Sequence, residues 1–276
     1  MFEAINISLF LLAFTCVIVL ALNFQQPVVR AAAIVLGALG CLAIVYGFFF
    51  LTESKILDEP RETQLITDYI KPVLLYLQAI MLTAMAGVLL FVAYRLFNQG
   101  NQIEVRLKNT DQSYGSVSRS LHWMVAILFV VVVPTATYMT IIPEDVWYRK
   151  NYYVLHKNLG FVLMSVVLVR LVWKRYDRPV MPHPSLNTGE KTLVNWVHRL
   201  LYMVMFLFPV TGYGMSTSGG KSSEFFGAEV PLLWSPNETL TLVFALFHKI
   251  VIPYVLYIAI TLHLAGALKH LLQENK

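Results

Sequence analysis

Seven apolar runs punctuate the chain, at about residues 7–23, 28–51, 72–97, 118–142, 152–174, 192–215 and 240–272. Each is close to the ~20 residues that an α-helix needs to cross the hydrocarbon of a bilayer. Open strands cannot satisfy their backbone in lipid, so helices are expected. The pattern predicts an all-α integral membrane protein with seven transmembrane helices. The polar stretches between runs are Thr52–Lys71, Asn98–Val117, Arg175–Lys191 and Ser216–Thr239. Only "NQGNQIEVRLKNTDQSYGS", residues 98–116, reads as an interdomain linker. It separates a three-span extension, residues 1–104, from a four-span part, residues 105–276.

Composition supports this class. Of 276 residues, 57% are hydrophobic and only 13% charged, against about 25% charged in a soluble domain. Mean hydropathy is +0.63. The N-terminus "MFEAINISLFLL" carries an acid and no basic residue. It lacks the basic region of a cleavable signal peptide and is expected to be a retained first span. Cys16 and Cys41 sit in apolar runs with neither CxxC nor zinc spacing, as buried thiols do.

Charge then sets orientation. With the spans alternating, the face bearing the 98–117 stretch holds 13 basic residues and five acids, and the opposite face eight and 11. The resulting +8 against −3 accounts for the net +5. Positive charge concentrates on the cytoplasmic side, so the N-terminus is expected in the periplasm and the C-terminus in the cytoplasm. Topology explains the basic balance, and no nucleic-acid motif competes with it.

The candidate chemistry is histidine. All seven lie beyond residue 121: His122, His156, His183, His198, His248, His263 and His270. A histidine within a span is costly and is a functional candidate by default, although any one alone is as readily a packing residue bonded to a neighbouring helix. By depth, His122 and His263 lie near the cytoplasmic face and His156 and His248 near the periplasmic face. His248 and His263 are 15 residues apart on one span, a rise of roughly 22 Å with about 60° of azimuth between them. Both can face one bundle interior. Zinc would want a third or fourth ligand, and no cysteine or acid is at hand. A proton relay would want acids in the four spans, whose centres hold none. Bis-imidazole ligation of haem iron fits, with no open position for substrate, which suits electron transfer.

Gly160 and Gly266, near His156 and His263, leave room for a flat ring. Arg119, Arg170, Arg199, Lys157 and Lys249 stand at the membrane edges, where propionates would project. His198, in "NWVHRLLY", shares the level of His122 and His263. It reads as a propionate or quinone contact or as an alternative ligand, with contact favoured. His183 reads as a solvated loop residue and His270 as interfacial.

Four segments, "YGSVSRSLHWMVAILFV", "VLHKNLGFVLMSVVLVRLVWK", "NWVHRLLYMVMFLFPVTGYGM" and "LFHKIVIPYVLYIAITLHLAGALKH", resemble the prokaryotic cytochrome b561 family in order. The resemblance covers residues 114–276. It implies a four-helix bundle with two haem b groups in the bacterial inner membrane, exchanging electrons with the quinone pool. It carries the ligand role onto His122, His156, His248 and His263. Some members of the family oxidise superoxide and reduce ubiquinone, and related proteins anchor hydrogenases or formate dehydrogenases. Two features depart from the family. Its last-helix ligands are usually spaced 14 apart, and Pro253 is expected to absorb the extra residue here as a kink or π-bulge. Residues 1–104 have no counterpart.

The expected function is therefore a di-haem b-type cytochrome linked to quinone. Residues 1–104 would dock a periplasmic redox protein or a larger membrane complex, or complete a quinone groove. The acidic "LTESKILDEPRETQLITDYI" could face a cationic partner, although a charge run is more often a solvated loop. The alternatives are an electron-entry subunit of a larger respiratory or dehydrogenase complex, and a haem-free transporter or assembly factor.

The charge split is tested by single cysteines at Ser54 and Ser185, labelled with an impermeant thiol reagent in intact spheroplasts. Ser54→Cys should label and Ser185→Cys should not. The reverse pattern inverts the topology.

Overall fold

The computed structural model describes residues 18–19, 26–39, 83, 87, 90, 93–94, 106–146, 149–181 and 186–273. The first three expected spans fall largely outside these residues; within them an apolar helix covers Pro27–Leu39. Beyond residue 105 the order is α1 (Ser116–Ile141), α2 (Arg149–Tyr176), α3 (Thr188–Ser218), β1 (Ser223–Phe225), β2 (Ala228–Val230), α4 (Glu238–Leu246), a π-helical turn (Phe247–Val251) and α5 (Ile252–Gln273). Among the described residues four stretches are long and apolar enough to cross a membrane: Ser116–Thr140, Arg149–Tyr176, Thr188–Ser218 and Glu238–Lys269. They coincide with the last four apolar runs of the sequence. Many of their large apolar side chains are exposed, including Leu168, Val169, Val172, Met203, Phe206 and Ile258. Such faces belong against lipid, not water.

By mutual contact the chain forms two sets, Met1–Glu104 with Trp123–Leu159, and Val105–His122 with Gly160–Lys276. In the first, Leu128 and Leu159 are fully buried. Tyr138 meets Tyr152 edge-on at 4.8 Å. Arg149 pairs with Glu144 at 2.9 Å, and its Nη2 donates to the Tyr153 hydroxyl at 3.3 Å. In the second, Val167, Val204, Leu256 and Ala259 are buried. Gly214 lets the Phe244 ring lie against α3, where a Cβ would come within 2.8 Å of it. The buried hydroxyls of Thr217 and Ser218 donate back to the carbonyls of Tyr213 and Gly214, and Ser218 Oγ also accepts from the Thr241 hydroxyl of α4 at 3.0 Å.

Local sequence explains the helix ends. Asn187 and Glu190 form a reciprocal capping box at the start of α3, the Asn-x-x-Glu version of a common N-terminal signature. Asn237 accepts from the Leu240 N–H at 2.9 Å and caps α4. Between these helices the polar stretch folds into a hairpin, with Ser223 opposite Val230 and Phe225 opposite Ala228. Its turn residues Phe226 and Gly227 both have positive φ, 49° and 91°, as a two-residue hairpin turn requires. The Tyr213 hydroxyl donates to the Pro231 carbonyl beside it.

The described end of the expected linker, residues 106–115, is tied to the end of α2. Asn109 N–H donates to Asp177 Oδ2 at 3.0 Å, and its side-chain amide donates to the Arg178 carbonyl at 2.9 Å. Its Oδ1 accepts from Gly115 N–H at 2.8 Å. Trp173 Nε1 donates to Ser118 Oγ at 3.0 Å. Asn, Thr, Asp and Ser in this stretch therefore act as backbone surrogates in a tight turn. A Cβ on Gly115 would come within 2.4 Å of the Leu107 carbonyl oxygen. Gly115→Ala should thus lower stability by about 1–3 kcal/mol. Its signature is a lower unfolding temperature, with new proteolytic cleavage confined to residues 106–115.

Candidate functional site

The last span is where the sequence departs from regular helix. Ile252 N–H bonds to the carbonyl of Phe247, five residues back, so one extra residue is stored between Phe247 and Val251. Pro253 follows at once. It has no N–H to give to the preceding turn, and its ring crowds that turn's carbonyls. The expected π-bulge is present, and His248 sits inside it. The 15-residue interval from His248 to His263 then has the phase of 14 α-helical residues. The azimuthal difference becomes about 40° instead of 60°.

His122, in the second turn of α1, and His263, midway along α5, meet with ring centroids 6.1 Å apart at 65° between planes. Metal–imidazole bonds are about 2.0 Å, so two trans imidazoles on one metal place their centroids about 6 Å apart. At this spacing the two rings would hold one metal between them. His198 of α3 is the third member, 5.1 Å from His263 at 86°. That separation is short of a trans pair. Its Nδ1 donates to the Val194 carbonyl at 2.8 Å, which ties the ring to its own helix. A Cβ on Gly266, one turn from His263, would meet open space. Arg119, one turn before His122, has a buried Nε without a hydrogen-bond partner among the described residues. Arg170 stacks over the Tyr202 ring at 5.2 Å. Two facing imidazoles, an open flank and an unsatisfied guanidinium suit a flat metal-centred ring with acidic substituents.

His156 belongs to the first set and His248 to the second. His156 Nδ1 is 3.2 Å from the Val132 carbonyl. His248 Nδ1 is 3.0 Å from the Phe208 carbonyl and 3.3 Å from Thr211 Oγ1. A carbonyl only accepts, so each Nδ1 carries the hydrogen and each Nε2 keeps its lone pair. That is the tautomer a metal needs, fixed by the remote nitrogen. Both carbonyls come from another helix, α1 for His156 and α3 for His248, and not from the histidine's own helix. A helical carbonyl has a second lone pair, and both acceptors lie beside an in-helix proline, Pro134 or Pro209. A Cβ on Gly160, one turn from His156, meets nothing within 4 Å. His183 lies outside the described residues, as does the side chain of His270.

Sequence reasoning missed Gly212, Thr211 and Tyr202. A Cβ on Gly212 would come within 2.6 Å of His248 Cε1, so glycine is what admits the imidazole to the Phe208 carbonyl. The signal was "PVTGYG", with two small residues and a proline inside an apolar span. Nothing in the string said which histidine they face.

Gly212→Ala should push His248 away from Phe208 and leave its Nδ1–H unpaired, at a cost of about 1–3 kcal/mol. Thermal unfolding of Gly212→Ala beside Gly189→Ala checks this. Gly189 is near the start of α3, and a Cβ there makes only an ordinary 3.4 Å contact. Only Gly212→Ala should lower the midpoint.

Residues 113–275 match the family described as prokaryotic cytochrome b561. The chain is similar to cytochrome b561 homolog 2 of Escherichia coli (strain K12), 32% identical over 120 residues, which are 43% of this chain and 63% of that relative. It is also similar to cytochrome b561 homolog 1 of the same organism, 28% identical over 159 residues, 54% of this chain and 85% of that relative. The match spans the four described membrane helices and all seven histidines, and residues before 113 stand outside it. With paired imidazoles inside apolar spans, this multi-pass membrane protein belongs to the prokaryotic cytochrome b561 family, a family of haem b membrane proteins suited to electron transfer.

Proposed function

We propose that the protein is a di-haem b-type cytochrome that passes electrons between a redox partner at one membrane face and the quinone pool. The observation that carries this reading is the His122–His263 pair, 6.1 Å apart inside apolar helices. Haem supplies one-electron redox chemistry, and the chain's residues hold, orient and enclose it. His122 and His263 ligate one group near the cytoplasmic face, and His156 and His248 the other near the periplasmic face. The second pairing rests on sequence depth and on the tautomer that the Val132 and Phe208 carbonyls impose. Arg119 and Arg170 neutralise propionates at the inner group. His198, tied to Val194, contacts the inner group or a quinone and is not an axial ligand. Neutral imidazoles on both sides leave no open coordination position, which favours electron transfer over substrate binding at the metal. In the bacterial inner membrane, residues 1–104 form a separable three-span extension that docks a redox partner or a larger complex.

The test is a set of five alanine variants read by haem stoichiometry and low-temperature α-band spectra. His156→Ala and His248→Ala should remove one spectral component, and His122→Ala and His263→Ala the other. His198→Ala should keep both and alter only quinone reactivity. Depletion of the same band by His122→Ala and His248→Ala contradicts the pairing. A reduced-minus-oxidised spectrum of the wild type without a haem b signature rejects the function altogether.

A further inference from the structure

The ends of α2 and α3, within electrostatic reach of His198, bring three cations together. Lys174 Nζ lies 4.1 Å from the centroid of the Tyr202 ring, and Arg170 stacks on the same ring at 5.2 Å. Arg199, one turn before Tyr202 on α3, covers Trp196 at 5.6 Å. Arg170 and Arg199 are near enough to Lys174 for their charges to repel it. Cation–π contact offsets only part of that repulsion, about 0.5–1 kcal/mol for an exposed pair.

The described acids at this end, Asp111, Asp177 and Glu190, have other partners. Glu190 pairs with Lys269, Asp111 pairs with Arg178, and Asp177 accepts from the backbone of Asn109 and Arg178. Among the described residues Arg170, Lys174 and Arg199 form no ion pair. Like charges held together without a counter-charge are the signature of an anion site.

We propose that Lys174 and Arg199, beside the Tyr202 ring, bind a phosphate group, and that an anionic phospholipid supplies it. Position argues for the lipid source. No charged residue follows Arg199 on α3 up to Ser218, and none precedes Arg170 on α2 back to Asn158. The cations therefore mark where the apolar part of each span ends, the level of lipid headgroups. Lys174 and Arg199 are exposed there. One to two turns deeper on the Arg199 face of α3, Met203 is 52% and Phe206 40% exposed. A soluble phosphate would leave that apolar strip bare, whereas a phospholipid covers it with an acyl chain. Basic clusters at helix ends are recurrent sites for anionic headgroups, and guanidinium and ammonium groups give charge-assisted bonds to phosphate oxygens.

The experiment is native mass spectrometry of the full-length holoprotein, released from micelles containing phosphatidylglycerol and phosphatidylethanolamine in equal amounts. Wild type should retain one phosphatidylglycerol in preference to phosphatidylethanolamine. Lys174→Gln and Arg199→Gln should each reduce that retention by about tenfold, the loss of one charge-assisted bond. Lys174→Arg should restore it. The haem α-band of Lys174→Gln, unchanged, certifies a folded protein. Equal retention of the two lipids, or unchanged retention in Lys174→Gln, overturns the proposal. So does loss of haem with retained lipid, which assigns Lys174 to the cofactor. If millimolar inorganic phosphate alone raises the unfolding temperature of wild type but not of Lys174→Gln, and no lipid is retained, the lipid source is wrong.

Discussion

Inside a bilayer an imidazole has no water to turn to, so each ring nitrogen must find its partner within the protein. The Nδ1 atoms of His156, His248 and His198 all donate to helix carbonyls, and each ring is left with one directed lone pair at Nε2. The surrounding features follow from that arrangement. Gly212 exists as glycine because His248 must come against α3 to reach Phe208. The π-helical turn narrows the azimuth between His248 and His263 from about 60° to about 40°. The prolines in α1 and α3 stand beside the accepting carbonyls.

The electrostatics divide along the same lines. Glu190 and Lys269 stand near helix ends, where solvent or an oppositely charged neighbour can reach them. Glu190 both completes the α3 capping box and pairs with Lys269 of α5. One acid thereby fixes the start of one span against the end of another. Asn109 does comparable work by joining the turn before α1 to the end of α2 through two hydrogen bonds and closing the turn on Gly115 with a third.

Much of the fold was legible because membrane crossing demands a long apolar run, and the last four runs match the described helices to within a few residues. The His122–His263 meeting was legible too, since depth is a linear property of sequence once the spans are known. The donor's target was less so. Which carbonyl receives an Nδ1–H depends on how two helices face each other, and azimuth between helices leaves no periodic trace in a string. The hairpin at 223–230 was missed for another reason. Its strands are three residues long, and its turn uses Phe226 at positive φ where Asn or Asp would have announced it. The residues 106–115 read as a linker because polar, glycine-bearing sequence is shared by flexible connectors and by turns in which the same side chains are fully engaged.

The π-helical turn also bears on how this span can change its length. A regular helix punishes the gain or loss of one residue, because every side chain beyond it rotates by about 100°. Here the surplus residue is confined to Phe247–Val251, and the helices on both sides keep their own phase. The span therefore contains a register reserve. A single-residue deletion within that turn leaves both α4 and α5 facing as they do now, whereas the same deletion three turns further on would rotate His263 out of its pair. Length variation in this helix is thus expected to concentrate at one turn, next to the proline that opened it.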